Sequence, residues 1–263
     1  MNVLDEIIAF KRVEVVGRKA SFSINSLESS KYFKRKMPSF YNSILNDGPS
    51  VIGEFKRKSP SKGILNIYSE IEDVALGYEK AGVAAISVLT DTEYFGGENQ
   101  DLLKVAAITK MPILRKEFII DEYQVIESKS IGASAILLIA SVLTKEEVKS
   151  LSTIASDIGL EVLFEIHDEK DLEKLDENIR IIGVNNRNLK TFEISMENSM
   201  KLLSFIPDDC LRIAESGFKS ARDVNLLFAL GYNAFLIGEN FMKSEDPGKA
   251  AASFINDLIK GIV

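Results

Sequence analysis

The feature that constrains this chain most is a recurring pattern: from residue 51 onward, eight short apolar runs alternate with eight amphipathic segments. The runs lie at 51–56, 84–89, 112–115, 135–140, 160–165, 180–184, 211–215 and 233–237. Rich in Val, Ile, Leu and Ala, they read as parallel strands buried on both faces by covering helices. Between and after them, helices are predicted over 69–81, 100–109, 121–131, 144–157, 168–175, 196–205, 219–230 and 246–260. The starts at Thr144 and Asp168 place a capping side chain before acids in the first turn. Eight strand–helix units predict an α/β fold, a (β/α)8 TIM barrel, with a doubly wound open sheet as the rival. No low-complexity tract or Pro/Ser-rich hinge divides the chain, so residues 1–263 are expected to form one barrel domain. Residues 1–48 are expected to be an N-terminal helical extension, with Val3, Leu4, Ile7, Ile8, Phe10 and Val15 at helical spacing and a second short helix over 39–47.

Composition narrows the class. A hydrophobic content of 46% over 263 residues is enough for a large core. The net charge of -7 argues against nucleic acid as a partner, so any basic site must be local. One cysteine, Cys210, excludes an intramolecular disulfide, and one histidine, His167, leaves no cluster for zinc. No metal or other cofactor is therefore expected. The first residues mix acids and bases among their apolar positions, unlike a signal peptide or a membrane span. These observations predict a cytoplasmic protein whose partner is a small molecule and neither nucleic acid nor a membrane; a monomer is expected ahead of a homodimer.

In such barrels the chemistry sits at the carboxyl ends of the strands. The first run reads VIGEFKRKSPSKG over 51–63, and strand alternation places Ile52, Glu54 and Lys56 on one face and Val51, Gly53 and Phe55 on the other. The third run ends at Lys116, the fifth at Glu165, the sixth at Asn185 and Arg187, and the seventh at Glu215 and Ser216. The same alternation aims Lys116, Glu165 and Asn185 at the barrel axis. One such lysine or glutamate alone would read as half of a structural ion pair; several converging on one mouth read as chemistry. Ser216-Gly217-Phe218 and Gly238-Glu239-Asn240 follow the seventh and eighth strands, where backbone N–H groups commonly build a phosphate site. Lys56 and Ser59 would complete it across the seam between the eighth strand and the first, so a phosphorylated substrate is expected. His167 reads as structural, Lys34-Arg35-Lys36 as a solvated face, and Cys210 as chemically inert.

The segments GEFKRKSPSKG, VLTDTEYFGG, PILRKEFIID, GASAILLIA, EVLFEIHDE, IGVNNRNLKTF, AESG and FLIGENFM follow one another in this order. Over essentially its whole length the chain thereby resembles the indole-3-glycerol-phosphate synthase family. The resemblance implies a barrel with its N-terminal extension over the catalytic mouth. It also implies the substrate 1-(2-carboxyphenylamino)-1-deoxyribulose 5-phosphate, closed to indole-3-glycerol phosphate with loss of carbon dioxide and water. Glu117 and Glu98 depart from the commonest family pattern, which has aspartate and serine there. For catalysis the resemblance implies Lys116, with a lowered pKa, as general acid, and Lys56 for phosphate contact or proton transfer. Glu165 would serve the dehydration, and Glu54 would orient the lysines and the substrate amine. Asn185 and Glu215, beside Ser216, would position the sugar hydroxyls. Arg187 would meet the anthranilate carboxylate, and Phe95, Phe118 and Leu137 would form the ring slot. A Schiff-base aldolase, the phosphoribosylanthranilate isomerase of the same pathway and a non-catalytic phosphate-binding protein stand as the alternatives.

Overall fold

Parallel strands that are apolar on both faces need helices outside and side chains inside, and a closed barrel supplies both. The computed structural model describes residues 3–188 and 193–261; positions 189–192, the end of the IGVNNRNLKTF stretch, lie outside the described residues. Helices α1 (Val3–Ser21), α2 (Ile24–Glu28) and α3 (Phe40–Ile44) precede the first barrel strand, β1 (Ser50–Phe55). In the loop after it, β2 (Lys58–Ser59) and β3 (Gly63–Ile64) form a small antiparallel ribbon. The chain continues with α4 (Ile71–Ala81), β4 (Ala85–Leu89), α5 (Thr92–Phe95), α6 (Asn99–Ile108), β5 (Ile113–Lys116), α7 (Glu122–Ile131) and β6 (Ala135–Ile139). Then come α8 (Lys145–Asp157), β7 (Glu161–Ile166), β8 (Ile181–Asn185), α9 (Glu197–Leu202), β9 (Leu211–Glu215) and α10 (Ala221–Leu230). The last elements are β10 (Ala234–Ile237), α11 (Glu239–Met242) and α12 (Pro247–Lys260). The barrel closes in the order β1-β10-β9-β8-β7-β6-β5-β4, with Gly53 opposite Ile237 on one side of β1 and Glu54 opposite Ser87 on the other.

The expected (β/α)8 barrel is therefore present, and two of its expected helices differ. Residues 168–175 form a 3-10 turn, Glu169–Lys174, and the 196–205 segment is α9 followed by the 3-10 turn Leu203–Phe205. In the first of these, Leu172 and Leu175 are the apolar side chains that reach the core, too few to bury the stripe that sustains a longer helix.

Alternation along β1 holds as read. Ile52 joins Leu114, Leu163, Ile181 and Leu236 inside the barrel, while Val51 and Phe55 pack outward among the helices. At Gly53 an added Cβ would lie 2.6 Å from the Tyr78 ring, so the glycine lets α4 lie flush on β1. An outward charge on β5 is accommodated differently. Arg115 is fully buried and donates to Glu127 of α7 at 2.6 Å, to Thr90 at 3.1 Å and to Ser128 at 3.0 Å.

The N-terminal extension lies over the mouth as expected, and it also closes the opposite end of the barrel. Val3, Leu4 and Ile7 of α1 roof the mouth, whereas Phe40 and Ile44 of α3 join the interior cluster with Ala85, Ala135, Leu211 and Ala234 at the opposite end. Helix α1 is fixed by Lys11, whose ammonium lies 2.9 Å from Asp91, 2.9 Å from Glu117 and 2.7 Å from Glu14. Glu117 also accepts from Thr90 at 2.8 Å, so this departure from the family pattern is a counter-ion for the extension. The other departure, Glu98, donates its amide to Asp101 at the start of α6. Among the described residues, no helix is long and apolar enough to cross a membrane.

Lys11→Met should leave Asp91 and Glu117 buried without their cation. A loss of about 3–5 kcal/mol of stability is expected. Denaturant unfolding measures it, and adding Glu117→Gln should recover part of the loss; an unchanged midpoint in Lys11→Met would contradict the anchor.

Candidate active site

The polar residues at the strand ends converge as the alternation requires. Glu54 points inward from β1 and accepts from Lys56 at 2.6 Å. Lys116, at the end of β5, crosses the mouth to Glu165 of β7 at 2.8 Å and to Glu215 of β9 at 2.5 Å. Two glycines make room for these carboxylates. An added Cβ would lie 2.4 Å from Glu215 Oε1 at Gly183 and 2.5 Å from Glu54 Oε1 at Gly238, so a larger residue at either position would displace an acid.

Around this network lies a cavity of about 150 Å³ whose walls include Glu54, Lys56, Ser59, Lys116, Glu165, Asn185, Arg187, Glu215, Ser216, Gly217, Gly238 and Glu239. Phe95, Phe118 and Leu137 form its apolar side, with the two phenyl centroids 6.1 Å apart. All the residues named from the sequence thus meet in one space. Missing from that reading were Val3, Leu4 and Ile7, because helical spacing shows that α1 has an apolar face and not what it covers. Pro60 and Ser61, within the 51–63 stretch singled out from the sequence, line the cavity too.

Burial and unequal charge set the protonation states. Desolvation opposes the Lys116 charge, yet the fields of Glu165, Glu215 and Glu54 outweigh it and hold the ammonium above the ordinary lysine range. The expected lowered pKa is thus corrected, because the neighbours of Lys116 are acids and not cations. For Glu165, burial pushes upward but Lys116 and then His167 carry the carboxyl down to about 2. Glu215 goes the other way: burial pushes it up to about 7, Glu165 adds to the rise, and Lys116 offsets only part of it. One ammonium cannot fully neutralise two buried carboxylates.

His167 is closer to this chemistry than alternation suggested. Its Nε2 stands 3.6 Å from Glu165 Oε1, and neither ring nitrogen has a hydrogen-bond partner among the described residues. Strand β7 ends at Ile166, so period-two reasoning does not extend to the next residue.

The Ser59–Gly63 loop forms one wall of the mouth. Arg57 ties its base to Asp101 at 2.5 and 2.8 Å, and Lys58 donates to the Glu93 carbonyl at 2.6 Å. Arg187 bridges from β8 to Ser61 at 3.2 Å and to Glu239 at 3.3 Å. Beyond β9, Ser216 has φ 70°, the one positive value for a residue other than glycine among the described residues, and Gly217 follows with φ 93°. Backbone held in this region by a non-glycine residue costs of order 1–3 kcal/mol and tends to mark functional sites. Glu239 brings its amide to this corner; its carboxylate is taken by Arg187 and by Lys243 at 2.7 Å.

Because Glu215 ionises near 7 in the folded chain against an ordinary 4.5, the folded state holds a proton that the unfolded state releases first. Its favourable contribution is complete below 4.5 and disappears as pH rises to 7. Relative to Glu215→Gln, which does not titrate, the native protein should lose about 3 kcal/mol across that window. Paired denaturant unfolding curves at pH 4.5 and 8 check this, and a pH-independent difference would contradict it.

Comparison with known proteins gives three results. The model of the family described as Indole-3-glycerol phosphate synthase matches residues 4–254. A curated indole-3-glycerol phosphate synthase from Bacteroides thetaiotaomicron is 40% identical over 257 residues, covering 98% of this chain and 99% of that protein. One from Caldanaerobacter subterraneus subsp. tengcongensis is 44% identical over 245 residues, covering 93% and 94%. Among solved structures, a chain of the tryptophan synthase a2b2 complex from Pyrococcus furiosus aligns with a TM-score of 0.61 at 14% identity, covering 80% of this chain and 98% of that one. KGPDC from Streptococcus mutans aligns with a TM-score of 0.62 at 14% identity, covering 81% and 99%. These structural likenesses speak to the barrel alone.

Proposed function

The chain belongs to the indole-3-glycerol phosphate synthase family, and from that premise we propose how its own side chains carry the reaction. The enzyme is a carboxy-lyase of tryptophan biosynthesis. It closes 1-(2-carboxyphenylamino)-1-deoxyribulose 5-phosphate to indole-3-glycerol phosphate, releasing carbon dioxide and water. Ring closure requires the ketone oxygen to gain a proton while the aromatic carbon bearing the carboxylate attacks the carbonyl carbon. Loss of carbon dioxide returns the electron pair to the ring, and the new hydroxyl then leaves as water after protonation.

The observation that carries the assignment is the clamp of Lys116 between Glu165 and Glu215. Lys116, held as ammonium, is the proton donor to the ketone. Glu165, held ionised, accepts the proton lost from the methylene carbon next to the substrate nitrogen during dehydration, so that the product keeps its indole N–H. Glu54 orients Lys56, which contacts the phosphate or supplies the second proton. Asn185 and Glu215 hold the sugar hydroxyls, beside Ser216. Arg187 takes the anthranilate carboxylate with its planar fork by exchanging Glu239 for it. Ser59 and the amides of Gly217, Gly238 and Glu239 receive the phosphate, and the ring lies between Phe95, Phe118 and Leu137. We place the enzyme in the cytoplasm, and as a monomer because one chain supplies the whole site; light scattering giving the mass of two chains would contradict the latter.

Lys116→Ala is expected to reduce turnover ~10²–10⁴-fold. The chain contains no tryptophan, so the indole fluorescence of the product can be followed against little protein background. Near-native turnover in the variant would remove Lys116 from the role. Imine formation requires a neutral amine, so borohydride should trap no substrate adduct on the Lys116 ammonium; a trapped adduct on Lys116 or Lys56 would favour the Schiff-base aldolase reading.

A further inference from the structure

At the barrel end opposite the catalytic mouth lies a second cleft of about 590 Å³. Its cations are Lys34, Arg35 and Lys36 on the segment between α2 and α3, Lys129 in the last turn of α7, and Arg180 just before β8. Its carboxylate, Glu161, is already engaged: one oxygen accepts from Ser39 Oγ at 2.6 Å and the other from the Tyr41 amide at 2.7 Å. Arg180 is paired with Asp209 at 3.2 Å, so four cations with no carboxylate partner among the described residues face one satisfied acid, a local inversion in a chain of net charge -7.

Lys129 decides what the inversion means. It is 4% exposed, and its ammonium makes one long hydrogen bond, 3.4 Å to the Gly159 carbonyl. An ammonium offers three donors, and among the described residues no carboxylate forms an ion pair with this one. Burial therefore pulls its pKa down with no anion to offset it. A desolvated cation without a counter-ion is costly, and an arriving anion recovers that cost without further desolvation of the lysine. Phe33, Met37 and Leu160 supply an apolar wall, and the volume lies within the range of small-molecule sites.

We propose that this cleft binds a small molecule carrying a phosphoryl group on an apolar body, with Lys129 and the Lys34–Lys36 run at the phosphoryl group. The probes are phenyl phosphate and inorganic phosphate, and the readout is hydrogen–deuterium exchange of the full chain. Phenyl phosphate is expected to protect residues 33–41 and 156–162, separately from any protection at Ser216–Gly217 and Gly238–Glu239. Inorganic phosphate should do so more weakly, because it lacks the body that meets Phe33 and Met37. Lys129→Met should weaken this protection about tenfold or more, and so should Lys34→Ser/Arg35→Ser/Lys36→Ser, whose changes are exposed and leave the fold alone. Both variants should keep the synthase activity within about twofold. Protection confined to the catalytic corner, or an affinity equal to that of the native chain in both variants, would overturn the proposal.

Discussion

One lysine shared by two buried glutamates sets the terms for the rest of the catalytic mouth. In a water-poor cavity a charge persists only if something opposite lies against it, and Lys116 has two candidates on strands β7 and β9. The two acids consequently divide their roles: one stays ionised and the other is pushed toward neutrality. With Lys56 on Glu54, a protonated Glu215 leaves two cations against two anions, so the cavity can be electrically balanced before substrate arrives. The same requirement explains Gly183 and Gly238, since no side chain fits where the acids must reach.

The same rule, applied outside the barrel, holds the N-terminal extension in place. Lys11 reaches Asp91 and Glu117, while Arg18 and Arg115 share Glu127. Buried ion pairs seldom add much net stability over a well-packed apolar alternative, but they fix geometry, because a shift of register would strand a charge. Here they fix α1 over the mouth, so that Leu4 and Ile7 roof the substrate cavity. At the far end, Phe40 and Ile44 fill the barrel interior, and the segment leading to them carries the basic run that walls the second cleft.

Much of the site was legible because it depends on period two and on chain order. Glu54, Lys56, Lys116, Glu165, Asn185 and Glu215 all fall at inward positions near the ends of their strands, and their inward direction follows from alternation with Ile52, Leu114, Leu163 and Ile213. Where alternation stops, the reading failed. His167 follows the strand end and sits against Glu165, and the Lys116 pKa depends on which strands lie across the mouth rather than on its own sequence neighbours. The segment 168–175 was read as a full helix because capping and acids were present, but too little apolar surface was there to bury.

The sequence by itself determined the eight-unit barrel, the strand-end inventory of acids and bases, and the family. Those follow from local periodicity and the order of motifs, which need no knowledge of what touches what. Only the tertiary structure decided that Glu215 and not Glu165 titrates near neutrality, that Glu117 is a counter-ion for the extension, and that Lys129 is buried without an anion. Each of these depends on distances between residues far apart in the chain, and Coulomb and desolvation energies are functions of those distances and of burial, neither of which a linear pattern contains.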